Sequence, residues 1–136
     1  MGGYVASHLV REAPLRSVTL LAPAAYHPDA VDRRIPFTDA FTRFLRDERR
    51  YHWMKSDAFD RIGEHRGSFM LVEYGRDQVI PHGVGERYFH AASGLRDRTR
   101  VLLPKFRHDG TFDESPAAQQ KRSAVLGRIV PWFIGL

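Results

Sequence analysis

The chain has 136 residues, the length of one domain at most. Hydrophobic residues make up 43% and charged residues 27%, with 9 Phe, 5 Tyr and 2 Trp, a balance that is typical of a folded globular protein and argues against disorder. We expect a cytoplasmic protein with no membrane partner, because neither an apolar run of roughly 20 residues nor a signal-peptide pattern is visible. Cysteine is absent, which excludes disulfides and thiolate chemistry.

The net charge of +5 raises the question of nucleic-acid binding. A phosphate-binding stripe needs basic residues clustered on one face, whereas here they alternate with acidic ones, as in residues 46–50 (RDERR). This interspersed pattern is typical of a solvated helix surface. We therefore expect no nucleic-acid partner.

The first predicted element is a short, largely buried helix over residues 3–13. Val5, Leu9 and Ala13 recur at every fourth position, and Pro14 then ends the helical pattern. The recurrence predicts that these three side chains form the buried stripe of the helix.

Three short apolar runs, each followed by a turn or a proline, predict buried strands: residues 17–22, 69–74 and 100–103. Helices are predicted between and after them, over 84–93 and from Ser115 through an apolar stripe that ends at Pro131. Strands that alternate with helices predict the α/β class, with a parallel sheet covered on both faces. Parallel sheets place their chemistry at the carboxyl ends of the strands, here the loops 23–28, 75–82 and 104–112.

Asp77 and His108 are the candidate catalytic residues, because each follows the end of a predicted strand. An imidazole there can transfer protons near neutral pH, and a neighbouring carboxylate can orient it. Simpler alternatives remain open: Asp77 could cap the next segment or pair with Arg76, and a lone His is more often structural or solvated. No serine occupies a strained strand-to-helix turn, and the other histidines lack metal-ligand spacing, so we expect no metal site.

The opening Met1-Gly2-Gly3, which leads into a helix, resembles the part of the Gly-x-Ser-x-Gly nucleophile elbow that follows the serine in the α/β-hydrolase fold family. Asp77 and His108 follow in the chain order of that family, which is serine, acid, histidine. The resemblance covers nearly the whole chain but only the C-terminal half of the family's domain. It implies a partial α/β-hydrolase fold over residues 1–136, with about three parallel strands.

The resemblance also implies functional roles. His108 would act as the base and Asp77 as its orienting acid, and Met1 would lie on the oxyanion side. The charged, aromatic segment of about 27–66 would form a helical cap, whose aromatic side chains would line an acyl or alcohol pocket unless they simply pack the cap: Phe37, Phe41, Phe44, Tyr51, Trp53 and Phe59. The substrate would be a small ester-like molecule, and no cofactor is implied.

The chain departs from the family pattern in one decisive respect, since the nucleophilic serine is not in it. We therefore expect the C-terminal fragment of a serine hydrolase that is inactive alone. The alternative is a non-catalytic interaction module that pairs, for example with itself, through the open edge of its first strand.

Overall fold

The computed structural model describes residues 1–30, 36, 38–39, 52–110, 120, 123 and 127. Its centre is one sheet of three parallel strands in the order β1-β2-β3: β1 Ser17–Leu21, β2 Ser68–Tyr74 and β3 Arg98–Leu103. Ser17 pairs with Ser68, and Phe69 pairs with Arg98. The three predicted strands and the predicted parallel pairing are confirmed, so the chain has the α/β class.

In the described part of the chain, three α-helices flank the sheet: α1 Gly2–Glu12, α2 Ala58–Gly63 and α3 His82–Ala91. Short 3-10 helices cover Pro28–Ala30, His52–Lys55 and Ala92–Gly94. Helix α1 ends where Ala13 becomes extended ahead of Pro14, whose ring cannot continue a helix. The helices predicted over 3–13 and 84–93 are thus confirmed to within two residues.

The main core lies between one face of the sheet and all three helices. Phe69 and Leu71 of β2 meet Ile62 of α2 and Tyr88 of α3, and all four are fully buried. Alternate residues of β2, including Met70 and Val72, point to the opposite face and form a second cluster with Val101 and Leu103 of β3. The central strand β2 is therefore buried on both faces, as its unbroken apolar sequence predicts.

The predicted buried stripe of α1 is wrong. Val5 and Leu9 are half-exposed, whereas Tyr4 and Ser7 are the buried residues of the helix. Ser7 tolerates burial because its hydroxyl donates to the carbonyl oxygens of Tyr4 and Gly3, 2.7 and 3.1 Å away. Packing against β1 and α2 thus selects a face that apolar periodicity alone does not indicate.

The predicted cap segment, about 27–66, is described at its two ends and at residues 36 and 38–39. At its C-terminal end, Ala58, Phe59 and Ile62 of α2 are buried in the main core. The rest of its middle, which contains Phe37 and Phe41, lies outside the described residues, as does most of the helix predicted after Ser115. The cap stays a prediction.

Candidate active site

Loops from all three strands meet at the carboxyl edge of the sheet. The amide of Gly75 donates to Leu103 O over 2.9 Å, and the amide of Arg76 donates to Phe106 O over 2.9 Å, which continues the β2–β3 pairing beyond the strands. Pro23, from the loop after β1, lines a small cavity together with Asp77. The edge expected to carry the chemistry is therefore a single continuous surface.

Asp77 is held in place by its own loop. Its amide closes a turn on Tyr74 O at 3.1 Å, and this turn lies so close to the next loop that a Cβ on Gly75 would be 2.7 Å from Pro104 Cα. The Asp77 Oδ1 atom accepts hydrogen bonds from the amides of Val79 and Ile80, at 2.8 and 2.9 Å. The side chain is only 4% exposed, so both its position and its rotamer are fixed.

His108 lies in a turn in which the amide of Gly110 donates to Arg107 O over 3.0 Å. Gly110 has a φ of 77°, a backbone conformation that favours glycine. The turn brings His108 Nδ1 to 2.9 Å from Asp77 Oδ2 and leaves the imidazole side chain 38% exposed. The structure therefore brings together the two residues that the sequence analysis singled out.

The contact determines the roles of the two ring nitrogens. An ionised carboxylate only accepts hydrogen bonds, so Nδ1 carries the ring proton and donates a hydrogen bond to Asp77. In the neutral ring, Nε2 is then an acceptor, and no described residue donates a hydrogen bond to it. This is the arrangement that a general base needs, because the basic nitrogen has no described partner and the other nitrogen is oriented.

A cavity of about 800 Å³ opens beside this pair. Among the described residues, its walls come from the two loops that carry the pair: residues 75–79 and 107–109. A small ester-sized molecule fits within such a volume. The cavity therefore gives a ligand access to the acid and the imidazole from the solvent side.

The remaining predicted site residues are less closely associated with this cavity. Met1 is exposed at the start of α1, and the neighbouring Gly3 would place a Cβ 2.9 Å from Pro23 Cα, so α1 begins near the same edge of the sheet. Trp53 packs against the main core beside Gly83, and Phe59 lies within that core at 4.8 Å from the ring of Tyr88. Neither ring lines the cavity beside His108.

Four of the described serines have hydroxyl groups with other hydrogen bonds or positions away from this cavity. Ser7 bonds within α1, Ser56 accepts a hydrogen bond from the amide of Ala58, and Ser17 and Ser68 begin strands at the opposite edge of the sheet. Within the described ranges no group of three or more His, Asp or Glu residues could hold a metal ion, and no helix is long and apolar enough to cross a membrane.

The capping role that the sequence analysis left open for Asp77 is present together with the contact to His108, because Asp77 Oδ1 accepts hydrogen bonds from the amides of Val79 and Ile80 in an Asx-turn. The sequence analysis missed Glu73, a buried carboxylate near the end of β2 that pairs with the Nε of Arg100 on β3. This hydrogen bond raises the pKa of Arg100. A charged residue inside the apolar run FMLVEY was the available signal.

Comparison with known proteins gives a structural likeness. No protein-family model and no curated protein sequence matches the chain. The crystal structure of the esterase domain from a Rhodothermus marinus protein matches 93% of this chain with a TM-score of 0.60 and 15% sequence identity. The chain has an esterase-like α/β fold. It spans 56% of the length of the matched chain, and a likeness at this identity concerns the fold alone.

Proposed function

We propose that this chain is the acid–base portion of a serine hydrolase that cleaves esters or related carbonyl compounds. His108 is the general base and acid, and Asp77 orients it. The observation that carries the proposal is the 2.9 Å contact between His108 Nδ1 and Asp77 Oδ2 at the carboxyl edge of a parallel sheet. The likeness to an esterase domain supports the same reading.

The proposed reaction uses His108 Nε2, to which no described residue donates a hydrogen bond. A serine Oγ attacks the carbonyl carbon while its proton passes to His108 Nε2, which gives a tetrahedral oxyanion. Asp77 stabilises the imidazolium through Nδ1. Collapse of the oxyanion breaks the ester bond, and the Nε2 proton moves to the leaving alkoxide, which departs as an alcohol. Water, deprotonated by the same nitrogen, then releases the acid and frees the serine.

The serine itself comes, in this proposal, from polypeptide that precedes these residues in the complete hydrolase. Support comes from the described serines Ser7 and Ser56, whose hydroxyl groups bond to backbone groups of their own segments and not to His108. The 136-residue chain alone is then inactive, because loss of the nucleophile removes several orders of magnitude in rate. Met1 would lie next to that serine on the oxyanion side, where α1 begins.

The test compares the 136-residue chain with a chain extended upstream through a Gly-x-Ser sequence, using p-nitrophenyl acetate. We expect turnover by the extended chain and none above buffer by the short one. His108→Asn should abolish turnover by the extended chain, whereas His90→Asn, which changes an exposed histidine on α3, should leave it unchanged. Turnover by the short chain that depends on His108 would contradict the inactivity. A folded extended chain without His108-dependent turnover would contradict the proposal as a whole.

A second candidate function is self-association through the free edge of β1. Among the described strands, β1 pairs only with β2, so its other edge has no strand partner there. Leu21 of this strand is 53% exposed, and the half-exposed Val5 and Leu9 lie on the adjacent helix α1. An unpaired edge beside apolar side chains favours pairing with the same edge of a second copy.

Sedimentation velocity of the 136-residue chain tests this second candidate. We expect a concentration-dependent dimer that Leu21→Lys abolishes, because a charge at an edge strand opposes pairing. Leu102→Lys is the matched control, since Leu102 is 57% exposed on β3 at the other side of the sheet. A monomer at every concentration, or equal loss of the dimer in both variants, would rule out pairing through β1.

A further inference from the structure

Two arginines flank the Asp77–His108 pair, and the proposed hydrolysis uses neither of them. Arg76 directly precedes Asp77, and Arg107 directly precedes His108. Both side chains are exposed, and both residues line the cavity of about 800 Å³ beside the pair. The hydrogen bond from the Arg76 amide to Phe106 O, at 2.9 Å, holds the two arginines on adjoining turns.

The other charged groups of this cavity are already occupied. The buried Asp77 uses one oxygen for two backbone amides and the other for His108. Asp109 also takes part in an interaction of its own. In the described part of the chain no acidic group forms an ion pair with Arg76 or Arg107. Arg76 and Arg107 therefore bring two positive charges to this cavity that no described acidic group pairs with, beside the exposed Asp109.

Several other described arginines do have a partner. Ion pairs or carbonyl contacts engage several of them: Arg11 with Glu64, Arg61 with Asp57, Arg100 with Glu73, and Arg98 with Phe89 O. Two guanidinium groups that have no such partner among the described residues, at the mouth of one cavity, form a site for a ligand with complementary charge. The planar fork of a guanidinium matches the paired oxygens of a carboxylate or a phosphate.

We propose that Arg76 and Arg107 bind an oxyanion group of the substrate, so that the cavity selects esters whose acyl or alcohol part carries a carboxylate or a phosphate. The inference rests on the proposed function for the identity of the reacting bond. It assigns Arg76 and Arg107 as specificity-determining residues, and it narrows the substrate class from esters in general to small anionic esters.

Binding of non-reacting ligands tests the proposal without any need for turnover. Isotope-labelled 136-residue chain is titrated with glutarate, with propyl phosphate and with the neutral glutaramide, and the ring resonances of His108 are followed by NMR. We expect at least one of the two anions to bind about 3- to 10-fold more tightly than glutaramide, as two exposed charge contacts of modest strength allow. The tighter of the two anions identifies the oxyanion.

Substitutions test whether the preference for the anion depends on Arg76 and Arg107. The double substitution Arg76→Gln with Arg107→Gln should remove the preference for the anion. Arg96→Gln is the matched control, because Arg96 is exposed in the loop before β3, at the opposite edge of the sheet, and should keep the preference. Equal binding of glutaramide and both anions, an unchanged preference in the double variant, or an equal loss in Arg96→Gln would each overturn the proposal.

The two proposals fail in different ways. Arginine-dependent binding of an anion, together with no His108-dependent turnover by a nucleophile-containing chain, would retain the anion site and reject hydrolysis. Hydrolysis with no preference for anionic over neutral esters would retain the proposed function and reject the anion site.

Discussion

Asp77 shows how a single side chain can be both a structural anchor and a candidate catalytic group. Its Oδ1 atom accepts hydrogen bonds from the amides of Val79 and Ile80, and its Oδ2 atom faces His108 Nδ1. All of these partners are donors, so the position requires a group that only accepts hydrogen bonds. A carboxylate satisfies this requirement, whereas an amide of the same shape does not.

Substitution Asp77→Asn tests this requirement. The new NH₂ group would face either the two amides or Nδ1, and in the less costly orientation it donates to Nδ1. We expect His108 to change tautomer, with the proton moving to Nε2. We also expect the free energy of unfolding to fall by about 1 to 3 kcal/mol as a charge-assisted hydrogen bond is lost. Long-range ¹H–¹⁵N NMR of the imidazole reports the tautomer, and urea unfolding reports the stability.

The control for this substitution is Asp60→Asn, on the exposed side of α2. It removes a carboxylate without touching the pair and should leave the His108 tautomer unchanged. An unaltered tautomer in Asp77→Asn would show that the contact between Asp77 and His108 does not control the ring.

At the scale of elements, the contact between α3 and β2 depends on one small residue. Glu73 is buried beneath α3, where its Oε2 atom pairs with Arg100 and its other oxygen lies against Gly85. A Cβ on Gly85 would be 2.7 Å from Glu73 Cδ. A larger residue at that position therefore requires either that Glu73 shifts or that α3 moves away from the sheet.

Substitution Gly85→Ala should destabilise the fold. The added methyl group must push Glu73 away from Arg100 or lift α3 from the sheet, and overpacking of this kind typically costs about 1 to 3 kcal/mol. Urea unfolding monitored by circular dichroism measures the loss. Gly94→Ala is the matched control, because a Cβ there would meet nothing within 4 Å, and we expect a change within about 0.5 kcal/mol. Equal stabilities of the two variants would contradict this account of the α3–β2 contact.

At the scale of the whole molecule, tyrosines join elements that are distant in sequence. The Tyr88 hydroxyl donates a hydrogen bond to Ala24 O at 3.0 Å. The Tyr4 hydroxyl donates a hydrogen bond to Asp57 Oδ1 at 3.0 Å, and this bond links α1 to the start of α2. Burial raises the pKa of both phenols above the ordinary value, and the pKa of Tyr4 rises further because of its bond to Asp57. Burial likewise raises the pKa of Tyr26 and of Tyr74.

These shifts predict alkaline unfolding. The folded state favours the neutral phenols, so their contribution to stability is fully present below about pH 10, the ordinary pKa of tyrosine. It is lost as the pH rises through the higher folded-state values. We expect tyrosinate absorbance at 295 nm to rise together with loss of the helical circular dichroism signal, and Tyr4→Phe to shift that loss to higher pH. Ionisation of all tyrosines near pH 10 with the helical signal intact would contradict the prediction.

The sequence by itself indicated the three strands, their parallel pairing and the helices α1 and α3, and it singled out Asp77 and His108 as the candidate acid–base pair. Local signals suffice for these features: apolar runs indicate strands, Pro14 ends a helix, and the carboxyl ends of parallel strands lie on one edge. Which loops reach that edge is a matter of topology, and topology follows from the alternation of strands and helices.

Only the tertiary structure decided which face of α1 is buried, which groups form hydrogen bonds with each oxygen of Asp77, and where Glu73 lies. Tyr4 replaces Val5 in the core because it meets Asp57, 53 residues away, and apolar periodicity carries no information about such a partner. The 2.9 Å contact between Asp77 and His108 likewise spans 31 residues. This contact depends on the β2–β3 register and on the two turns that contain Asp77 and His108. Close packing of these elements positions the two side chains at hydrogen-bonding distance.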